Sequence, residues 1–440
     1  MKQRYDSYKP SGIDWIGEIP SHWETLTLKQ VSSSIRNGYV GPTKDILVDF
    51  GVPYIQSLHV KDGKICFERG EYYVTSLWGS KHPKIFTNDI VIVQTGDIGQ
   101  VAIIPEEYNG CNCHALIIVV ADYKKIVPSY LSYYLRSDVG KELMLLTKTG
   151  ATLPHLNSGS ICNTQVVLPS IAEQYAMVGW LDEKCSEIDA AIEKVEREIE
   201  LIDELKQSEI SRVVTRGLNP DVALKSSGID WIGEIPCHWD CVKTLFALSM
   251  PITDGPHETP ALYEDGIPFI SAEAISTGKI RFDHMRGYIS QAYYEECCKK
   301  YIPQRNDIYM TKSGASTGRV ALVETDCIFT IWSPLAVFRA NASKTDYKFL
   351  YYVLLSECYQ KQVENGWSYG TQQNIGMRTL EKLKIPLPPL TEQQSISDYL
   401  DKKCAEIDGL KEKLVRKRET LKELRQSIIS EVVTGKRKVI

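Results

Sequence analysis

Catalysis needs a nucleophile, a general base or a set of metal ligands brought to one place, and few stretches of this 440-residue chain offer one. Asp62-Gly63-Lys64 resembles the D-x-K part of a nuclease metal site. A second copy of the surrounding sequence reads Thr277-Gly278-Lys279, which loses the acid and keeps the glycine and lysine. A two-residue turn between strands explains that pattern better than a metal ligand does. His22 and His238 each sit in an "HW" pair ahead of an apolar run, so they read as framework and not as general bases. The 12 cysteines are scattered. The close pairs Cys111/Cys113, Cys237/Cys241 and Cys297/Cys298 lack a second ligand pair at zinc spacing, so reduced thiols and no metal are expected. There is no G-x-x-x-x-G-K-[ST] phosphate loop, no G-x-G-x-x-G opening a βαβ unit and no Asn-Pro-Pro-aromatic stretch. The chain is expected to catalyse nothing by itself and to carry no cofactor.

What the chain does offer is repetition. "GIDWIGEIPSHWE" from Gly12 returns as "GIDWIGEIPCHWD" from Gly228, and "LPSIAEQYAMVGWLDEKCSEID" from Leu168 returns as "LPPLTEQQSISDYLDKKCAEID" from Leu387. Between these flanks "GVPYI" at Gly51 answers "GIPFI" at Gly266, and "NDIVIVQTGDIGQVAI" at Asn88 answers "NDIYMTKSGASTGRVAL" at Asn306. Short apolar runs such as "DIVIVQT" and "PLAVFRA", broken by Gly, Asn, Asp and Pro, sit beside helical stretches at "PSYLSYYLRS" and "YKFLYYVLLS". The fold class is therefore α+β, with two tandem globular domains each followed by a long helix. The expected segments are 1–167, a helical region 168–217, a second domain 218–385 and a second helical region 386–440.

The long helices carry heptad seams. Val178, Leu181, Cys185, Ile188, Ile192, Val195, Ile199 and Ile202 alternate spacings of three and four. In the second helix Leu400, Ile407, Leu414 and Leu421 form one layer, and Ser397, Cys404, Lys411 and Arg418 form the other. The window 190–209 holds seven acids against three bases, whereas 409–428 holds seven bases against three acids. Opposite charge on duplicated helices favours their pairing with each other. The expected arrangement is an antiparallel coiled coil with pseudo-two-fold symmetry, in which Ile188, Ile192, Val195 and Ile199 face Ile407, Lys411, Leu414 and Arg418. About 44 residues from Glu173 to Arg216 would span on the order of 65 Å.

The ordered set of a variable module, "PLPPLTEQ" from Pro386, a long helix ending "VVT" and then glycine, all duplicated, resembles the specificity subunit of type I restriction-modification systems. "DWIGEIPxHW" and "TQQNIGMRTLEKLKIPLPPLTEQQ" from Thr371 are similar to that family's framework, and the likeness covers essentially the whole chain. The resemblance implies two target-recognition domains reading the halves of an asymmetric bipartite site on double-stranded DNA. It implies helical regions that act as spacer and docking surface for two modification (methyltransferase) subunits, and a larger assembly with ATP-dependent restriction endonuclease subunits. S-adenosylmethionine, ATP and Mg would then belong to those partners. The "MKQRYDSYKPSG" start has no apolar signal core and no run could span a bilayer, so a cytoplasmic protein without membrane contact is expected. One departure stands out: where the second copy has "GTQQNIGM" from Gly370 with Gln372, Gln373 and Asn374, the first has "GATLPHLN" from Gly150, with His155.

Charge does not mark a DNA surface, since residues 1–167 carry 16 bases and 16 acids and residues 218–385 carry 17 and 19. Affinity must come from local patches or from partner subunits. Two modules of one fold with different targets should keep the framework and differ where loops meet DNA. Gln56, Ser57 and His59 stand against Ser271 and Glu273; Gln94, Thr95 and Asp97 stand against Lys312 and Ser313. Gln suits adenine, Lys suits guanine and Glu suits the cytosine amino group. Arg36, Asn37, Lys44 and Arg319 are added as phosphate candidates, and His257 as the contact from the polar loop "ITDGPHETP". Trp15, Trp23, Trp231 and Trp239 are expected to pack as a hinge on the helical spacer, the alternative being base stacking on exposed indoles. The competing function is a coiled-coil scaffold for protein partners without DNA specificity.

Overall fold

The computed structural model describes residues 3–68, 70–148, 155–276, 278–367 and 373–439. Two compact units emerge, Met1–Glu196 with Arg416–Ile440, and Arg197–Val415, so the division falls inside both long helices.

In unit 1 a four-stranded antiparallel sheet runs Val101–Ile103, Ile90–Val93, Leu116–Ala121, Ser32–Asn37. Ile90–Val93 is buried on both faces, which suits a central strand of β-branched residues. A second sheet contains Asn112–Cys113 paired in parallel with Val52–Ile55. In unit 2 the corresponding strands are Val320–Leu322, Ile308–Thr311, Leu335–Phe338 and Thr253–Asp254, within a six-stranded sheet. Thr330–Ile331 pairs in parallel with Ile267–Ile270. The duplication is therefore one of strand order and register as well as of sequence.

Each module is closed by its own ends. Glu24–Thr27 pairs with Gln165–Leu168, and Asp240–Lys243 pairs with Lys384–Leu387. Asp62 and Gly63, at φ 50° and 85°, form the turn between Val60–Lys61 and Lys64–Ile65. The Asp62 carbonyl accepts from Arg136 Nη2 at 2.9 Å, and no metal role is needed to explain this turn.

The first long helix spans Ile171–Arg216 and the second Leu390–Val433. In unit 1, Met177, Leu181, Cys185 and Ile188 from the beginning of one share a core with Ile428, Ile429, Val432 and Val433 from the end of the other. In unit 2, Ile210, Val213 and Val214 share a core with Ile396, Leu400 and Cys404. Early residues of one helix meet late residues of the other in both units, so the pairing is antiparallel. The cross-helix ion pairs in unit 2 are Lys411 to Asp203 at 2.6 Å and Lys206 to Asp408 at 2.6 Å. Unit 1 has Arg425 to Asp189 at 3.0 Å. Lys206–Asp408 runs against the net charge of its helices, and Arg418 bonds its own neighbour Glu419. Val195 and Ile407 are buried, while Ile192, Ile199, Lys411, Leu414 and Arg418 are half-buried along the seams.

Among the described residues no helix is long and apolar enough to cross a membrane, and no group of three His, Cys, Asp or Glu side chains is placed to hold a metal.

Candidate nucleic-acid interface

The repeated phrases meet in space. In unit 1, His22 Nε2 lies 2.8 Å from Glu173 Oε1, and the Trp23 indole N–H donates to the same oxygen at 3.3 Å. In unit 2, His238 Nε2 lies 2.9 Å from Glu392 Oε2, and Trp239 donates to it at 3.0 Å. Trp23 and Trp239 are wholly buried. The glycine after each "VVT" completes a joint: a Cβ on Gly435 would stand 3.0 Å from Trp23, and one on Gly217 would stand 3.1 Å from Trp239. Both glycines have positive φ, 72° and 73°, as a helix C-terminus turning away requires. Each joint thus locks the module's entry, the start of one long helix and the end of the other. Burial would push the Glu173 carboxyl up, but hydrogen bonds from His22, Ser170 and Trp23 outweigh it and hold the group below the usual carboxylate range. The next residue is framework too. Buried Gln174 accepts from Val127 N at 2.7 Å, as buried Gln393 accepts from Asp346 N at 2.9 Å.

The hinge expectation needs correction for two of the four tryptophans. Trp15 and Trp231 are 56% and 48% exposed. They sit between the strands Tyr8–Pro10 and Glu18–Pro20, and Leu224–Ser226 and Glu234–Pro236, where Ile13 and Ile16, or Ile232, take the inward positions.

Three segments converge at one end of the sheet that contains Ile90–Val93 in unit 1 and Ile308–Thr311 in unit 2. In unit 1 they are the end of Ser32–Asn37, the loop after Ile90–Val93 and the segment at 155–157. The backbone Leu156 N–H donates to Gln94 O at 3.0 Å, and Gln94 Nε2 donates to Asn37 Oδ1 at 3.1 Å. In unit 2 they are the end of Thr253–Asp254, the loop after Ile308–Thr311 and the segment at 373–375. Ile375 N–H donates to Lys312 O at 2.9 Å, Gly314 N–H donates to Gln373 O at 3.0 Å, and Lys312 Nζ stands 3.3 Å from Asp254 Oδ2. His257 Nε2 is 3.1 Å from that same oxygen, and Lys300 hydrogen-bonds the other.

Several expected contacts are accessible, at the clusters or elsewhere on the units. Lys44, Thr95, Asp97 and His155 in unit 1, and Glu273, Arg319, Gln373 and Asn374 in unit 2, are exposed. The His257 side chain is 71% exposed. Asn37, Gln56, Ser57, Lys312 and Ser313 are half-buried. Gln372 lies outside the described residues.

Others are turned inward and are corrected here. His59 is fully buried, accepting from Gln56 N at Nδ1 and donating from Nε2 to Gly70 O, and burial lowers its pKa. It serves the core and cannot reach DNA. Ser271, 1% exposed, is likewise enclosed at the start of a 3-10 turn. Gln94 is 6% exposed and spends its amide on Asn37. Arg36 is not among these: it donates to Lys84 O at 2.8 Å and faces buried Asp89 at 3.8 Å, but its side chain is 34% exposed, so it stays with the half-buried candidates. Conversely, Asp254 and Lys300 were not singled out from the sequence. The echo of "IRNG" at Ile35 in "ITDG" at Ile252 carried the signal for Asp254, because it aligns that acid with Asn37.

Comparison with known proteins agrees with this architecture. The family described as type I restriction modification DNA specificity domain matches residues 20–201 and 258–416. A chain named as a type I restriction enzyme MjaX specificity subunit, from Methanocaldococcus jannaschii, is 26% identical over 437 residues, covering 96% of each chain. The type I restriction enzyme MjaVIII specificity subunit of the same organism is 23% identical, covering 96% of this chain and 94% of its own. A solved chain from a study of complex assembly and conformational transition of the type I R-M system has the same fold, with TM-score 0.67 and 19% identity over 94% of this chain and 98% of that one. A duplicated module, a duplicated long helix and a family match over both copies lead to one conclusion: the chain belongs to the type I restriction-modification DNA specificity family.

Proposed function

We propose that this chain reads an asymmetric bipartite sequence on double-stranded DNA, each unit contributing one half of the reading through its three-segment loop cluster. The observation that carries this reading is that both units build the same cluster on the same strand ends with different polar side chains, amides at Asn37 and Gln94 against charges at Asp254 and Lys312. Like frameworks with unlike tips are what two readers of unlike half-sites require. Segments 1–167 and 218–385 act as the recognition domains, a reading supported by the strand pairs that close each of them. The helical regions 168–217 and 386–440 dock two modification subunits, and restriction subunits join the same assembly. Catalysis, with S-adenosylmethionine, ATP and Mg, belongs to those partners in the cytoplasm.

The test is selection of duplexes from a random pool by the chain co-expressed with its methyltransferase subunit. Two short, unlike motifs at a fixed gap are expected. An intact complex that retains no motif would refute the reading and leave a protein-binding scaffold.

A further inference from the structure

We propose that positions 37 and 94 of unit 1, and 254 and 312 of unit 2, are one and the same slot, and that the pair occupying it sets which base each unit selects at one position. The inference rests on the DNA-reading assignment above and adds the residues that make the two halves differ.

The equivalence follows from strand register. Asn37 lies opposite Ile117, and Asp254 lies opposite Ala336. Val93 lies opposite Leu116, as Thr311 lies opposite Leu335. Gln94 and Lys312 are the next residues along, and each accepts a backbone hydrogen bond from the third segment, Leu156 or Ile375. The glycine after the slot agrees: a Cβ on Gly38 would lie 2.9 Å from Cys113 O, and one on Gly255 would lie 2.0 Å from Ile331 O. Backbone approaches backbone at the same place in both units, which only glycine permits.

The occupants differ in chemistry, and in each pair one member is buried while the other is half-buried. In unit 1, buried Gln94 donates to Asn37 Oδ1 and so orients the outer amide. Asn37 keeps two N–H donors and a lone pair on Oδ1, a donor-acceptor set that matches the N6 and N7 edge of adenine. In unit 2 the buried member is Asp254, which is wholly enclosed. It holds Lys312 at 3.3 Å and His257 at 3.1 Å, and hydrogen-bonds Lys300, which also donates to Gly255 O at 3.2 Å. An ammonium offers donors alone, which matches the O6 and N7 acceptors of guanine. The Lys312 side chain is 12% exposed, so its head is aimed by the carboxylate and does not sweep solvent. Asp254 and Gln94 are positioning residues; Lys312 and Asn37 are the groups that touch the base.

The experiment exchanges the pairs in the assembled methyltransferase complex and repeats the duplex selection. Asn37→Asp with Gln94→Lys should move one position of one half-site from adenine to guanine, and Asp254→Asn with Lys312→Gln should move one position of the other half from guanine to adenine. Each change should be roughly 5- to 150-fold in preference, with the untouched half unaltered. Lys312→Arg, which keeps charge and donors, should keep guanine and shows whether the site tolerates substitution if a double variant fails to fold. Unchanged selection in both halves overturns the inference. So does a loss equal for every sequence with a salt slope reduced by about one, since that would make Lys312 a phosphate contact. If the wild-type complex selects no motif, the DNA-reading assignment fails instead, and the two failures are told apart.

Discussion

Replacing Glu173 by alanine should loosen its joint more than replacing Glu392 loosens the other, although the two glutamates are repeat mates. Both accept from a fully buried indole N–H, Trp23 or Trp239, and both take a histidine. Truncating either leaves that N–H without a partner, at about 1–3 kcal/mol. Glu173 does one thing more. The first long helix starts after Ser170, whose backbone N–H and hydroxyl both donate to Glu173 Oε2, at 3.0 and 2.7 Å, while Glu173 N–H faces Ser170 Oγ at 3.4 Å. That is a capping box. In the second helix the corresponding residue is Pro389, with no N–H or hydroxyl to take part. Loss of the box adds about 1 kcal/mol. Glu173→Ala should therefore cost about 2–4 kcal/mol and Glu392→Ala about 1–3 kcal/mol. Hydrogen–deuterium exchange read on peptides around Trp23 and Trp239 measures the two openings separately, so neither needs a two-state transition for the whole chain. Equal costs, or a larger one for Glu392→Ala, would refute the reasoning.

Other outcomes follow from the same geometry. Arg425→Ala should destabilise unit 1 by about 1–3 kcal/mol, because its side chain is 15% exposed against Asp189 and its loss leaves that acid only the exposed Lys64, 3.6 Å away. Lys411→Ala, half-buried and paired with a more exposed Asp203, should cost at most about 1 kcal/mol, and urea midpoints of the two variants check the order. Gly435→Ala and Gly217→Ala should each lower the melting temperature, Gly435→Ala by more, since its Cβ would lie 2.3 Å from Pro20 Cδ as well as against Trp23, on top of the positive φ; equal melting would contradict the packing. Acid should weaken unit 1 through His59. Burial lowers its pKa, so the unfolded chain binds the proton more readily, and the contribution is complete above the ordinary histidine range and lost as pH falls through the depressed value. His59→Gln should flatten the dependence of unit 1 stability between about pH 7 and pH 5, and an unaltered slope would rule out that origin.

Repetition and periodicity belong to the linear sequence, because they are relations between residues at fixed separations. The doubled frame, the two long helices and their seams were legible for that reason. "HW" and "EQ" could be seen to recur, but not that His22 and Trp23 grip Glu173, since 150 residues separate Trp23 from it. Burial belongs to the fold. Trp15 and Trp23 are the same residue type eight positions apart, and only the hairpin decides that one faces solvent and the other the core. His59, Ser271 and Gln94 looked like surface polar residues because they differ between the repeats, yet difference between copies marks a core that has been repacked as readily as a tip that reads DNA. Asp254 could be aligned with Asn37 through the repeat, but its role could not be read there. Its meaning lies in Lys300, His257 and Lys312, which come from three separate segments and meet only because strand register brings them to one carboxylate.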